Sequence, residues 1–165
     1  MIENKMKIIG IVGWKNTGKT FFVSEIIKKL KSKNYRIASI KHAHHAFDID
    51  HQNTDSYIHR ISGSSQVIIS SSKRWAKINE LEKQNEKKLD ELIAELSETD
   101  IVLVEGYKNE NHPKIEVINE KENKHLFKNI KNVVAIISDL NLDTDLKKFK
   151  KNEIDKIVNF ILNEI

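Results

Sequence analysis

The sequence contains no cysteine, which excludes a disulfide framework, a thiolate metal site and a cysteine nucleophile. Any metal would have to be held by His, Asp or Glu. Proline occurs once, at Pro113, and glycine five times, so there is little material for a flexible linker. With 165 residues, no internal repeat and only one charged interval, from Glu80 to Lys88, a single domain spanning residues 1–165 is expected. No apolar run approaches the length of a membrane span, and MIENKMKIIGIVG is too short in its apolar part for a signal segment. No membrane attachment and a cytoplasmic location are therefore expected. Arginine is also scarce. Only Arg36, Arg60 and Arg74 stand among the 28 basic residues, and the lysines are scattered among glutamates. A net charge of +4 permits an acidic ligand, but this scatter describes a solvated surface, and no nucleic-acid partner is expected.

What is present are short apolar runs: Ile8 to Val12, Ile37 to Ile40, Gln66 to Ser70, Ile101 to Val104 and Val133 to Ile137. Each is continuous rather than alternating, as in strands buried on both faces of a parallel sheet. Between them lie helical periodicities. Phe22, Val23, Ile26, Ile27 and Leu30 form one, Leu89, Leu92, Ile93 and Leu96 a second, and Ile154, Ile157, Val158, Ile161, Leu162 and Ile165 a third. Alternating strand and helix predicts a doubly wound α/β sheet. The segment KIEVIN, Lys114 to Asn119, follows the strand at Ile101 too closely for a helical crossover. It is expected to be an antiparallel hairpin partner or edge strand, with a dimer contact around Ile115 to Ile118.

GWKNTGKT, Gly13 to Thr20, satisfies G-x-x-x-x-G-K-[ST] and lies between an apolar strand and an amphipathic helix. That context makes it a phosphate-binding loop of the P-loop NTPase type. Gly13 and Gly18 let the backbone of Trp14, Lys15, Asn16 and Thr17 curl so that its N–H groups converge on phosphate oxygens. Lys19 should reach the β- and γ-phosphates, and the Thr20 hydroxyl should ligate Mg²⁺. A second acid is expected at the carboxyl end of a neighbouring strand. DIVLVEGYK, Asp100 to Lys108, supplies Glu105, to hold a magnesium-bound water or orient an attacking one; Asp100 begins the strand or caps the preceding helix. The guanine-reading Asn-Lys-x-Asp tetrad is absent. In AIISDLNLD, Asp139 lies just beyond a predicted strand, where its carboxylate could pair with guanine. The alternative is that Ser138 and Asp139 only start a turn.

With GWKNTGKT, IKHAHHAFDID, TDSYIHRISGS, SSKRWAKI, DIVLVEGYK and PKIEV in this order, the chain resembles the molybdopterin-guanine dinucleotide biosynthesis protein B (MobB) family from about Lys7 to Asp139. The resemblance implies a P-loop protein, commonly a homodimer, that binds GTP with weak hydrolysis. It also implies assistance to a MobA-type guanylyltransferase that attaches GMP to molybdopterin carrying molybdenum or tungsten. Phe21 stands where the family usually has a second threonine, Asn53 where it often has glycine, and Asn119 where an arginine often follows P-K-I-E-V.

The stretch SIKHAHHAFDIDHQNTD leaves the strand Ile37 to Ile40, which is expected to lie next to the phosphate loop's strand. Three readings stand for it. In the first, Asp48 or Asp50 contacts Mg²⁺ through water and His42 or His44 binds phosphate or pterin. In the second, His42 and His44 chelate a transition metal, as in a metallochaperone GTPase. In the third it is a polar loop. Downstream, Asp55, Ser56, His59 and Arg60 share neighbouring faces of a short helix, with Arg60 a candidate phosphate or pterin contact or a surface ion pair. Arg74 and Trp75 are candidates for anion binding, stacking or packing. Catalysis, if present, is expected from Lys19, Glu105 and Asp48 acting on water. A small-molecule kinase is the rival, but its usual arginine-rich lid has no counterpart among three arginines.

Overall fold

The computed structural model describes residues 6–43, 47–81, 85–120 and 124–165. The strands are β1 (Lys7–Val12), β2 (Ile37–Lys41), β3 (Gln66–Ser70), β4 (Trp75–Asn79), β5 (Ile101–Glu105), β6 (Lys114–Val117), β7 (Val133–Ile137) and β8 (Lys147–Phe149). The helices are α1 (Lys19–Ser32), α2 (Asp55–Ile61), α3 (Leu89–Ala94) and α4 (Ile154–Glu164), with a 3-10 turn at Leu126–Lys128. Six strands form one parallel sheet in the order β2-β5-β1-β6-β7-β8. β3 and β4 pair antiparallel by themselves. The expected α/β class with a mostly parallel sheet is the observed one, and the antiparallel pair is β3–β4, apart from that sheet. The described residues form two compact units, one of residues up to His42 and from Leu89 onward, the other Ala43–Lys88. Among the described residues no helix is long and apolar enough to cross a membrane.

The sheet unit is held by two apolar layers. On one face Ile9 and Ile11 of β1, Leu103 of β5, Ile115 of β6 and Ile137 of β7 meet Phe22, Ile26 and Leu30 of α1 and Ile157 and Ile161 of α4. The α1 periodicity is thus the stripe that packs on the sheet. On the other face Val102, Val104 and Leu89 are buried, with Ile8, Ile40 and Ile93 partly covered.

Three strand expectations are corrected. First, β2 is not beside β1: β5 lies between them. The burial explains the order, because Val102, Leu103 and Val104 are fully buried, whereas β2 carries Ser39 and Lys41 and takes the edge. Second, β6 is neither antiparallel nor at an edge. It runs parallel between β1 and β7, and all four of its residues are buried. The connection 106–113 crosses β1 without a helix, since an extended chain spans about 3.3–3.6 Å per residue and the strand is short. The dimer contact expected at Ile115 to Ile118 is thereby removed, because those side chains lie inside the sheet unit. Third, β3 is not in the parallel sheet. Only its Val67 is buried, while Ile68 and Ile69 are exposed.

The alternation of KIEV resembles a half-solvated strand but is spent differently. Ile115 and Val117 enter the α1/α4 core. Lys114 is fully buried, and its Nζ donates to the carbonyls of Glu110, His112 (2.9 Å) and Lys131 (3.1 Å). Glu116, also fully buried, accepts the Leu126 N–H at 2.7 Å and the Phe127 N–H at 2.8 Å, capping the 3-10 turn. Burial pushes the Glu116 carboxyl up, against those two N–H bonds, and burial pushes the Lys114 ammonium down. Both charges are accommodated because each is surrounded by backbone groups of opposite polarity.

Gly10 of β1 makes room for the crossing loop: a Cβ there would stand 2.5 Å from His112 Nε2. Gly10→Ala is expected to cost about 1–3 kcal/mol in urea unfolding, with most of the cost gone in a His112→Ala background.

His112 is buried, and that burial, helped by the Lys114 charge, lowers its imidazole from 6.5 to about 4. The fold therefore holds the ring neutral. Its contribution is complete above pH 6.5 and declines as the pH falls toward 4, for a total on the order of 3 kcal/mol. His112→Leu is expected to flatten the stability profile across that window in pH-dependent unfolding.

Candidate phosphate and cation site

The loop from Gly13 to Gly18 leaves the carboxyl end of β1 and opens α1. Gly13 has φ 152°, and a Cβ on it would stand 2.5 Å from the Val117 carbonyl and 2.7 Å from Thr17 Oγ1. The end of β6 thus presses on the loop, and only glycine fits. Gly18 caps α1 with φ 95° and no side-chain cap, and the first turn of α1 holds no acidic residue. The positive end of the helix dipole therefore faces no fixed acid of the first turn, and such an end favours an anion. Asn16 adopts positive φ (64°), as asparagine tolerates.

Side chains of the loop are held in place. Thr17 Oγ1 donates to the Trp14 carbonyl at 3.0 Å, and Lys19 Nζ donates to the same carbonyl at 2.5 Å. The Trp14 indole N–H reaches the Lys124 carbonyl at 2.6 Å, and Lys108 Nζ lies 4.6 Å above its ring. Asn119 Nδ2 donates to the Asn16 carbonyl at 3.2 Å. Asn119 therefore props the loop from the far end of β6, a role its sequence context does not suggest.

Thr20 and Glu105 come together as expected. Thr20 Oγ1 lies 3.1 Å from Glu105 Oε1 and 3.3 Å from Oε2, and the Glu105 side chain is only 12% exposed. A hydroxyl and a carboxylate side by side at the mouth of a phosphate loop are hard oxygen donors of the kind Mg²⁺ takes, so the residues fit that ion. The sequence reading missed Lys41, whose Nζ is 3.3 Å from Glu105 Oε1; its place immediately before His42 in the I-K-H motif was the available signal. Lys15, Lys19, Lys41, Thr20 and Glu105 line one cavity of about 530 Å³. Three ammonium groups against one carboxylate give the cavity a net positive charge, which favours an anion.

The strands β2 and β5 end together. The His42 N–H donates to the Glu105 carbonyl at 2.9 Å, and the His42 ring stacks on Tyr107 at 4.6 Å. Gly106 is required here, because a Cβ would stand 2.9 Å from His42 Cβ. At the opposite end Asp100, just before β5, accepts the Arg36 N–H at 2.7 Å and Arg36 Nη2 at 2.8 Å. Asp139 follows β7 and accepts the Lys151 N–H at 3.1 Å. Ser138 Oγ accepts the Leu140 N–H at 3.2 Å, so the segment also forms the turn that was the alternative reading.

The second unit contains Asp48 and Asp50. Arg60 Nη2 lies 2.8 Å from a carboxylate oxygen of each, and its Nη1 is 3.2 Å from Glu80. The Asp50 side chain is 3% exposed, that of Asp48 62%. The Arg60 hydrogen bond, against burial, holds the Asp50 carboxyl below the usual range. Asn53 has positive φ (68°), the conformation a glycine would supply. His44 lies outside the described residues. Among the described residues no three His, Asp or Glu side chains converge as a metal cluster. Trp75 is exposed.

Because the Asp50 carboxyl is depressed, its contribution is present above the ordinary carboxylate range and is lost as pH falls through its folded value. Arg60→Gln is expected to expose the Ala43–Lys88 unit to limited proteolysis at neutral pH, with cleavage mapping there before the sheet unit is cut.

Residues 8–139 match the family described as Molybdopterin guanine dinucleotide synthesis protein B. A molybdopterin-guanine dinucleotide biosynthesis adapter protein of Haemophilus influenzae is 34% identical over 98% of this chain and 91% of that protein. One from Escherichia coli is 30% identical over 97% and 94%. A crystal structure of molybdopterin-guanine biosynthesis protein B superposes with a TM-score of 0.77 at 25% identity, covering 96% of this chain and 99% of that one.

Proposed function

The chain belongs to the molybdopterin guanine dinucleotide synthesis protein B family, and from that premise we propose that it is a cytoplasmic GTP-binding adapter in molybdenum or tungsten cofactor maturation. It assists a MobA-type guanylyltransferase in joining GMP to molybdopterin. The observation that carries the reading is the Thr20–Glu105 contact at the mouth of the lysine-lined loop.

In this reading the loop amides and the α1 N-terminus hold the β- and γ-phosphates of GTP, and Lys19 leaves the Trp14 carbonyl to meet them. Thr20 and Glu105 would hold Mg²⁺, which when bound neutralises charge on the phosphate oxygens. Glu105 orients water, and Asp139 reads guanine from the carboxyl edge of the sheet. Hydrolysis is weak in this reading because two of the three arginines that could act as a finger are engaged: Arg36 by Asp100 and Glu98, and Arg60 by Asp48, Asp50 and Glu80. A homodimer is supported by the apolar surface of the second unit, where Phe47, Ile61, Ile68 and Trp75 are each more than 60% exposed.

Calorimetric titration with GTP and ATP in Mg²⁺ tests the reading. GTP is expected to bind over about tenfold tighter than ATP, a gap of about 1.4 kcal/mol. Lys19→Ala should weaken both while keeping the preference, and Asp139→Ala should abolish the preference. Equal or tighter ATP binding would remove the guanylylation reading and favour the kinase or metallochaperone alternative.

A further inference from the structure

Two groups converge on one carboxylate oxygen. Glu105 Oε1 accepts Thr20 Oγ1 at 3.1 Å and lies 3.3 Å from Lys41 Nζ. Lys41 is brought there by the backbone, as the register partner of Glu105 across the β2–β5 pair. The two side chains differ in freedom: Glu105 is 12% exposed, Lys41 63%. An ion pair with one arm in water adds little stability. It is strong enough to occupy the carboxylate and weak enough to be exchanged.

We propose that Lys41 is a tethered counter-ion for Glu105, holding Oε1 while the pocket carries no divalent cation and yielding it when cation and nucleotide bind together. The inference rests on the nucleotide-binding reading and adds to it how the site's affinity for cation is set.

A carboxylate with an ammonium at 3.3 Å is a poor cation ligand, because a divalent ion must either displace that ammonium or sit beside it against like-charge repulsion. The nucleotide-free protein is therefore a weak cation binder. Lys41 lines the same cavity as Lys19 and Lys15, so the phosphates of a bound nucleotide give its ammonium an alternative anion. Once Lys41 turns to them, Glu105 is free for the cation. Nucleotide and cation then strengthen each other's binding, and the coupling is reciprocal by linkage. A free cation alone gains less, because Glu105 is the one carboxylate among the described residues that line the pocket and the displaced ammonium has only water to turn to.

The test compares Mn²⁺ binding, followed by electron paramagnetic resonance of the free ion, in nucleotide-free wild type, Lys41→Met, Lys41→Arg and Glu105→Gln. Lys41→Met keeps the stem and removes the charge, at an exposed position that should not disturb folding. It is expected to bind Mn²⁺ about two- to fivefold tighter than wild type. Lys41→Arg should remain as weak as wild type, and Glu105→Gln should lose the site. In parallel, the factor by which Mg²⁺ tightens GTP binding over EDTA should shrink in Lys41→Met. Mn²⁺ affinity in Lys41→Met equal to or weaker than wild type, or undetectable at millimolar Mn²⁺, would overturn the proposal. Failure of the wild type to bind GTP would overturn the nucleotide reading instead, while the nucleotide-free Mn²⁺ comparison would still decide the role of Lys41.

Discussion

The site depends on the parallel pairing of β5 between β1 and β2. The register sets Ile11 and Lys41 on either side of Glu105, so the phosphate loop, its acid and a third cationic arm leave the sheet at one level. Parallel strands all deliver their carboxyl ends to the same edge, and the fully buried run Val102–Val104 fixes which strand takes the middle. A slip of one residue in β5 would turn Glu105 to the opposite face and separate it from Thr20. The chemistry is thus an outcome of core packing. The apolar residues choose the strand order, and the polar ones arrive where that order puts them.

The glycine-rich loop was legible because local geometry requires its glycines one by one, for curvature and close approach, with Lys19 and Thr20 beside them as the candidates for charge and oxygen ligation. Glu105 was legible for a related reason, as an acid ending an apolar strand. The strand order was not, since a continuous apolar run states burial but not neighbours, and Ser39 in β2 was the faint sign of an edge. The misreading of KIEV is instructive in physical terms. Alternation of charged and apolar residues ordinarily means water on one face, but Lys114 and Glu116 satisfy loop carbonyls and amides in place of water, so the same pattern serves a strand buried on both faces. β4 escaped notice because Trp75–Asn79 is short and mostly exposed.

The histidine-rich stretch divides between two units. Its beginning, Lys41 and His42, belongs to the sheet, where Lys41 pairs with Glu105 and the His42 ring stacks on Tyr107. Its end, Asp48 and Asp50, belongs to the smaller unit and is gathered by Arg60. Composition suggested one cluster, whereas the folded chain gives the lysine and the aspartates separate partners. The lysine, the least conspicuous residue of the stretch, pairs with the acid beside the loop.

Lys114 has a further consequence. This chain is crowded with lysines, yet Lys114 alone among those described is buried, its ammonium enclosed by three carbonyls. An amine-reactive reagent reaches it only when the centre of the sheet opens, whereas its surface counterparts are acylated at once. The protein thus carries its own chronometer. The rate at which this one amine becomes modified times the opening of the strand that braces the phosphate loop.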